Sequence, residues 1–181
     1  MSKQVDFKYL TVLIIEDSTF MRRTLNKLLS GFGFKNVLET DNAAEGLKML
    51  QQFNVDIILL DLIMDPIDGI EFTTMMRKSS DTANPLIPII LITGHTEKYR
   101  VMAARDAGVN EILAKPVSSN DLLSRIMHVI QSPRPFVEGG GFFGPDRRRR
   151  DDATYKGEER RAGVDSGQSV LSQEEIEGLL Q

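Results

Sequence analysis

Cysteine is missing from this 181-residue chain, which excludes a disulfide framework and any thiol chemistry. No apolar run reaches the length needed to span a bilayer, so no membrane helix is expected. The opening MSKQVDFKYL lacks the basic-then-apolar layout of a secretory signal. A surplus of positive charge is also missing: the formal net charge of −4 argues against a general nucleic-acid binder. Histidine is scarce, with only His95 and His128, read as a solvent-exposed loop residue and a surface residue of the last long helix. Together these absences lead us to expect a cytoplasmic protein without membrane or DNA partners. The length allows one domain and an extension.

What is present is a set of apolar runs that stop at chemically active residues. Ile57, Ile58, Leu59 and Leu60 run straight into Asp61, the pattern of a strand buried on both faces. An earlier apolar strand, 10–15, ends in Glu16 and Asp17, and two later ones end in Thr93 and Lys115. Open α/β sheets carry their chemistry beyond the carboxyl ends of the strands. If these strands lie side by side, three carboxylates, a hydroxyl and an ammonium meet at one edge. Carboxylates so gathered repel, and a divalent cation relieves the repulsion. Mg2+ takes oxygen ligands and is held by carboxylates together with water and phosphate oxygens. Asp61 is then the nucleophile, since carboxylates form acyl phosphates. Glu16 and Asp17 hold the metal, Lys115 sets a point charge against the phosphoryl oxygens, and Thr93 donates a hydrogen bond to one of them.

The spacing along the chain predicts alternating strands and helices. A helix over 18–30 carries Leu25, Leu28 and Leu29 at helical spacing and is ended by Gly31 and Gly33. A strand around 37–39 precedes a helix opened by Asn42, with Glu45 three residues on as in a capping box. After strand 56–60, the stretch Asp65-Pro66-Ile67-Asp68-Gly69 reads as a turn. Helix 70–78, strand 87–92, helix 97–107 stopped by Gly108, strand 111–113 and a helix from Ser118 or Ser119 to before Pro133 complete the pattern. Met49, Met75, Met76, Met102 and Met127 are expected to fill gaps between helices and sheet. Five βα units imply an α/β fold, a flavodoxin-like doubly wound parallel sheet of order 2-1-3-4-5 with helices on both faces. The expected division is an N-terminal extension at 1–8, a domain at 9–131, a linker rich in Gly, Pro and Arg at 132–170, and a short amphipathic helix at 171–181.

The acidic pair in IIEDS, Asp61 in LLDLIMDPIDG, Thr93-Gly94 in LITGH and Lys115-Pro116 in AKP resemble the response-regulator receiver family, over about residues 8–131. The resemblance implies Mg2+-dependent phosphorylation of Asp61 from a histidine kinase of a two-component system. Such a protein is a signalling phosphoacceptor, and any catalysis is of its own phosphorylation and dephosphorylation. The resemblance also implies a cis peptide before Pro116 that aims Lys115, and a backbone carbonyl of Ile63 given to the metal. Several residues depart from the family pattern. Glu16 stands where an Asp is common, Pro66 is displaced along its loop, and Ile112 stands where chemotaxis regulators carry an aromatic switch residue.

The tail has its own features. Pro133, Pro135 and Gly139-Gly140-Gly141 mark a linker. Two segments that start thirteen residues apart, 142–148 and 155–161, both read aromatic, any residue, Gly, any residue, acid, Arg, Arg. They are either part of a largely disordered, solvated tail or a docking motif for a carboxylate- or phosphate-bearing partner. Farther on, Ser172 and Glu175 form a capping box, Leu171 and Ile176 a hydrophobic staple, and Ile176, Leu179 and Leu180 one apolar stripe. So short a helix does not persist alone in water and needs a groove. LSQEEIEGLL resembles the N-terminal peptide of the flagellar motor switch protein, which implies a tethered peptide for the output face of this domain or of another receiver. The tail is too short and too poor in apolar periodicity for a helix-turn-helix, so DNA-binding output is not expected. Output is expected through a downstream protein target or the chain's own C-terminal peptide, in chemotaxis or motility. The alternatives are a phosphate carrier or sink in a relay, and a scaffold that is never phosphorylated.

Overall fold

A computed structural model describes residues 5–78, 84–139, 142–146 and 170–180. Five parallel strands, β1 Thr11–Ile15, β2 Asn36–Thr40, β3 Ile57–Asp61, β4 Ile89–Thr93 and β5 Glu111–Ala114, lie in the order β2-β1-β3-β4-β5. Five helices follow them in turn: α1 Thr19–Phe32, α2 Ala43–Gln52, α3 Gly69–Lys78, α4 Lys98–Ala107 and α5 Ser119–Gln131. This is the flavodoxin-like arrangement that the alternating pattern implies. Among the described residues no helix is long and apolar enough to cross a membrane.

The central strands are apolar throughout because both faces are covered. Alternate residues of β1, β3 and β4 enter two separate cores. Leu13, Ile15, Ile58, Leu60, Ile89 and Leu91 share one core with Phe72 and Met76 of α3. Val12, Ile14, Ile57, Leu59, Ile90 and Ile92 share the other with Leu25 and Leu29 of α1 and Leu122 and Ile126 of α5. Capping fixes where the helices start. Ser18, Asn42 and Ser118 accept hydrogen bonds from the backbone N–H of Met21, Glu45 and Asp121. Of the two glycines expected to end it, helix α1 runs through Gly31 and stops at Gly33, whose φ of 101° suits a left-handed cap. Met76 is fully buried as expected for a gap filler, whereas Met75, one residue earlier, is on the outer face of α3 and 47% exposed.

Part of the expected linker is ordered. Phe136–Gly139 (β6) pairs antiparallel with Phe142–Pro145 (β7), and the Asp146 N–H closes the base on the Pro135 carbonyl. The hairpin packs on the ends of α3 and α4. The Phe136 ring lies 4.9 Å from the guanidinium of buried Arg77 and 5.6 Å from the Phe143 ring. Arg77 also donates to the carbonyls of Pro85, Ile87 and Gly108 and to the side-chain oxygen of Asn110. Burial pulls its pKa down to about 9. These strands carry no apolar–polar alternation, since glycines and a proline interrupt them, so only the aromatic anchors mark their place. Arg147, Arg148 and the second repeat, 155–161, lie outside the described residues.

The last helix, α6 Gln173–Leu180, opens with the expected box: Ser172 N–H donates to the Glu175 carboxylate, and Glu175 N–H to the Ser172 hydroxyl. Ile176 and Leu180 are buried in the core of α3 and α4, with Leu171 and Leu179 packed against it. The helix lies along β5 and α4. Arg125 of α5 pairs with Glu177, while Arg105 and Arg134 donate to the carbonyls of Leu179 and Leu180. Cations at the carbonyl end of a helix offset its dipole.

Two glycines make opposite expectations. A Cβ at Gly69 would lie 2.4 Å from the Asp61 carbonyl oxygen, whereas one at Gly31 would meet nothing within 4 Å. In urea unfolding, Gly69→Ala is expected to destabilise by about 2 kcal/mol through overpacking. Gly31→Ala is expected to stabilise by about 0.5–1 kcal/mol through helix propensity.

Candidate functional site

Strand register sets the site. Ile15 lies beside Leu60, and Asp61 beside Ile92, so β1, β3 and β4 end nearly level. Glu16 and Asp17 continue from β1, Asp61 closes β3, Thr93 closes β4 and Lys115 follows β5. One carboxylate oxygen each of Glu16, Asp17 and Asp61 lies within 4.8 Å of the others, with Glu16 and Asp61 buried and Asp17 exposed at the mouth. The Lys115 ammonium donates to Glu16 Oε2 and to Asp61 Oδ1, each at 2.9 Å. The peptide bond before Pro116 is cis, and so is that before Pro66.

Burial and charge pull in opposite directions here. Burial holds the Asp61 carboxyl above the ordinary carboxylate range, and the Lys115 ammonium only partly offsets it. Glu16 is raised for the same reason, and the nearby Asp61 charge adds to the shift. Burial acts to lower Lys115, but its hydrogen bonds to Asp61 and Glu16 outweigh that and hold its pKa up. The lysine therefore stays charged while the acids are kept short of compensating positive charge. Such a nest of hard oxygen donors suits Mg2+.

Thr93 is buried, and its hydroxyl accepts from the His95 N–H at 2.9 Å. Its carbonyl accepts from the Lys115 N–H at 2.8 Å. Ile63 lies in the loop after β3, two residues beyond Asp61, and is 43% exposed. Ile112 is fully buried in β5, on the core that also takes Ile176. Leu171, Ile176, Leu179 and Leu180 belong to that second surface and not to the acidic nest. His95 is an exposed loop residue 3.6 Å from Glu97, and His128 approaches buried Glu111 at 3.8 Å.

Sequence reasoning missed Arg22. From α1 it donates to the carbonyls of Glu16 at 2.7 Å and Asp17 at 3.1 Å, which fixes the acidic loop from behind. It also missed Gly69, whose lack of a side chain lets α3 start against the Asp61 carbonyl, and Gln173, which bonds the edge of β5. None of these carries a local signal, because each partner is set by tertiary placement.

The receiver-domain model of response regulators matches residues 12–127. The chain belongs to the response regulator receiver family, whose members are signalling phosphoacceptors that interact with histidine kinases. It is 29% identical over 120 residues to the chemotaxis protein CheY of Pseudomonas aeruginosa, covering 66% of this chain and 95% of that one. It is 27% identical over 124 residues to CheY-3 of Vibrio cholerae, covering 68% and 94%. Among solved structures, a putative response regulator from Chloroflexus aurantiacus superposes with a TM-score of 0.63 at 25% identity, covering 67% of this chain and 98% of that chain. The receiver domain of a Pseudomonas aeruginosa sensor histidine kinase, described with magnesium in its active site cleft, gives 0.61 at 23%, covering 68% and 98%.

The raised acids have a consequence for stability. A folded-state pKa above the unfolded one means that the native state binds protons more tightly, so stability falls as pH rises through the unfolded and then the folded pKa. In chelator, the contribution of the nest to the unfolding free energy is expected to fall as pH rises above the ordinary carboxylate range, and Asp61→Asn to remove part of that fall. Mg2+ at a hundred times its Kd is expected to restore about 2.7 kcal/mol to the parent and much less to Asp61→Asn.

Proposed function

We propose that this chain is an Mg2+-dependent phospho-accepting switch. Asp61 takes a phosphoryl group from a phosphohistidine of a kinase, and proteins read the change at the face of α4, β5 and α5 in the control of motility. The observation that supports this most is the Lys115 ammonium within 2.9 Å of both Asp61 and Glu16, inside a cluster that Asp17 completes. Nothing in a purely structural ion pair calls for a third acid beside it.

Glu16, Asp17, Asp61 and the backbone carbonyl of Ile63 would hold the cation. When bound, it neutralises charge on the nest and on the transferred phosphoryl oxygens. Asp61 offers a carboxylate oxygen to phosphorus as the phosphorus–nitrogen bond to the kinase histidine breaks, leaving an acyl phosphate. Lys115 gives its charge to the new phosphoryl oxygens. The Thr93 hydroxyl accepts from the His95 N–H and donates to the His95 carbonyl at 3.5 Å, a long bond that it would exchange for one to a phosphoryl oxygen. Arg22 keeps Glu16 and Asp17 in place through their carbonyls.

The motility reading has its support outside the nest. Two relatives are chemotaxis proteins. The stretch LSQEEIEGLL resembles the motor switch peptide, and its helix lies along β5 and α4. In this reading α6 is a tethered docking peptide that a downstream partner replaces.

Incubation with a small phosphodonor and Mg2+ is expected to place one phosphoryl group per chain, with none in chelator and none in Asp61→Asn. Lys115→Ala is expected to slow uptake on the order of a hundredfold, as loss of one charge-stabilising donor does. Label retained by Asp61→Asn contradicts the reading.

A further inference from the structure

Strand β5 closes one side of the sheet, so its outer backbone groups face no neighbouring strand. The Gln173 side chain takes up two of them. Its Oε1 accepts from the Ala114 N–H at 2.7 Å, and its Nε2 donates to the Ile112 carbonyl at 3.1 Å. One acceptor and one donor presented side by side is what the C=O and N–H of one residue in an adjacent strand would offer. A carboxamide carries both in one plane, and an ionised carboxylate carries no donor.

The place of this contact matters more than its strength. Ala114 immediately precedes Lys115. Three residues before Gln173, Val170 forms an antiparallel bridge with Glu97, and the Leu171 N–H donates to the Thr96 carbonyl at 2.8 Å. Residues 170–173 thus strap the loop that follows Thr93 at the end of β4 to the end of β5, which leads into Lys115. On the inner side the same two segments are joined by the Lys115 N–H and the Thr93 carbonyl.

We propose that Gln173 is a positioning residue for the phosphorylation site: seated on the β5 edge, it holds Lys115 where it pairs directly with Asp61, so that tail docking and phosphoryl binding oppose each other. The inference rests on the reading of Asp61 as phosphoacceptor. The Lys115 nitrogen is 2.9 Å from Asp61 Oδ1, so its charge is spent on the free carboxylate and not on the place of a phosphoryl group. For Lys115 to reach phosphoryl oxygens beyond the carboxylate its ammonium has to move outward, and the strap resists movement of the strand end that carries it. Coupling of this kind is reciprocal: the factor by which docking weakens phosphoryl binding is the factor by which phosphoryl binding weakens docking.

The absence of cysteine lets a single cysteine at exposed Glu174 carry a fluorophore in the full-length chain. Beryllofluoride with Mg2+ serves as the phosphoryl mimic. It is expected to lower the label's anisotropy and to speed hydrogen exchange at the Ala114 and Leu171 amides. Gln173→Glu, which cannot donate to Ile112, is expected to bind beryllofluoride about fivefold more tightly by calorimetry. If Gln173→Glu frees the label but leaves that affinity within twofold of the parent, the coupling is refuted while the phosphoacceptor reading stands. Saturating beryllofluoride that leaves parent anisotropy and exchange unchanged refutes it equally. Failure of every chain to bind beryllofluoride, with no phosphate taken up at Asp61, overturns both readings.

Discussion

One ammonium between two buried carboxylates organises this molecule. Lys115 reaches Glu16 and Asp61 at the same distance from a third strand end, and only a sheet whose strands finish level can bring the three together. The site is nonetheless under-compensated, because burial raises both acids in spite of the lysine. A third carboxylate, Asp17, adds negative charge at the mouth. The fold therefore holds charge in a place where charge is costly, and that is the condition under which a cation or a change of covalent state has most effect.

The two apolar cores keep the nest in place. Each central strand is buried on both sides, so a slip by one residue would exchange the two sets of side chains and move Asp61 off the edge. Arg22 fixes the acidic loop through main-chain carbonyls, and Gly69 allows α3 to begin in contact with the Asp61 backbone. These supports do no chemistry themselves, but they determine where the chemistry sits.

The convergence at the sheet edge was legible because apolar runs stop at named residues: Leu60 before Asp61, Ile15 before Glu16, Ala114 before Lys115. The caps Asn42 and Ser172 were legible for a similar reason, since each acts on a neighbour within three positions. What could not be read depends on distant partners. The hairpin of β6 and β7 has no alternation and is held by Arg77 and by close approach of Gly144 to Gly108, pairs far apart in sequence. The start of α6 was plain from its box. An output face as its seat followed only from the resemblance, and the lining of the groove was not legible, because it is built from Ile112 of β5, Arg105 of α4, Arg125 of α5 and Arg134 beyond it.

The arrangement joins two surfaces through short stretches of backbone. Thr93 leads to the loop that meets residues 170–171, and Lys115 follows the strand edge that meets Gln173. Changes at the nest and changes at the tail face are thus only a few peptide units apart.

A crystal structure grown with Mg2+ and beryllofluoride tests the central claim most directly. The cation is expected among the carboxylates of Glu16, Asp17 and Asp61 and the carbonyl of Ile63, with beryllofluoride on Asp61 and the Lys115 nitrogen moved from Asp61 onto fluorine. A nest that stays empty, with Lys115 still bridging Glu16 and Asp61, would contradict it.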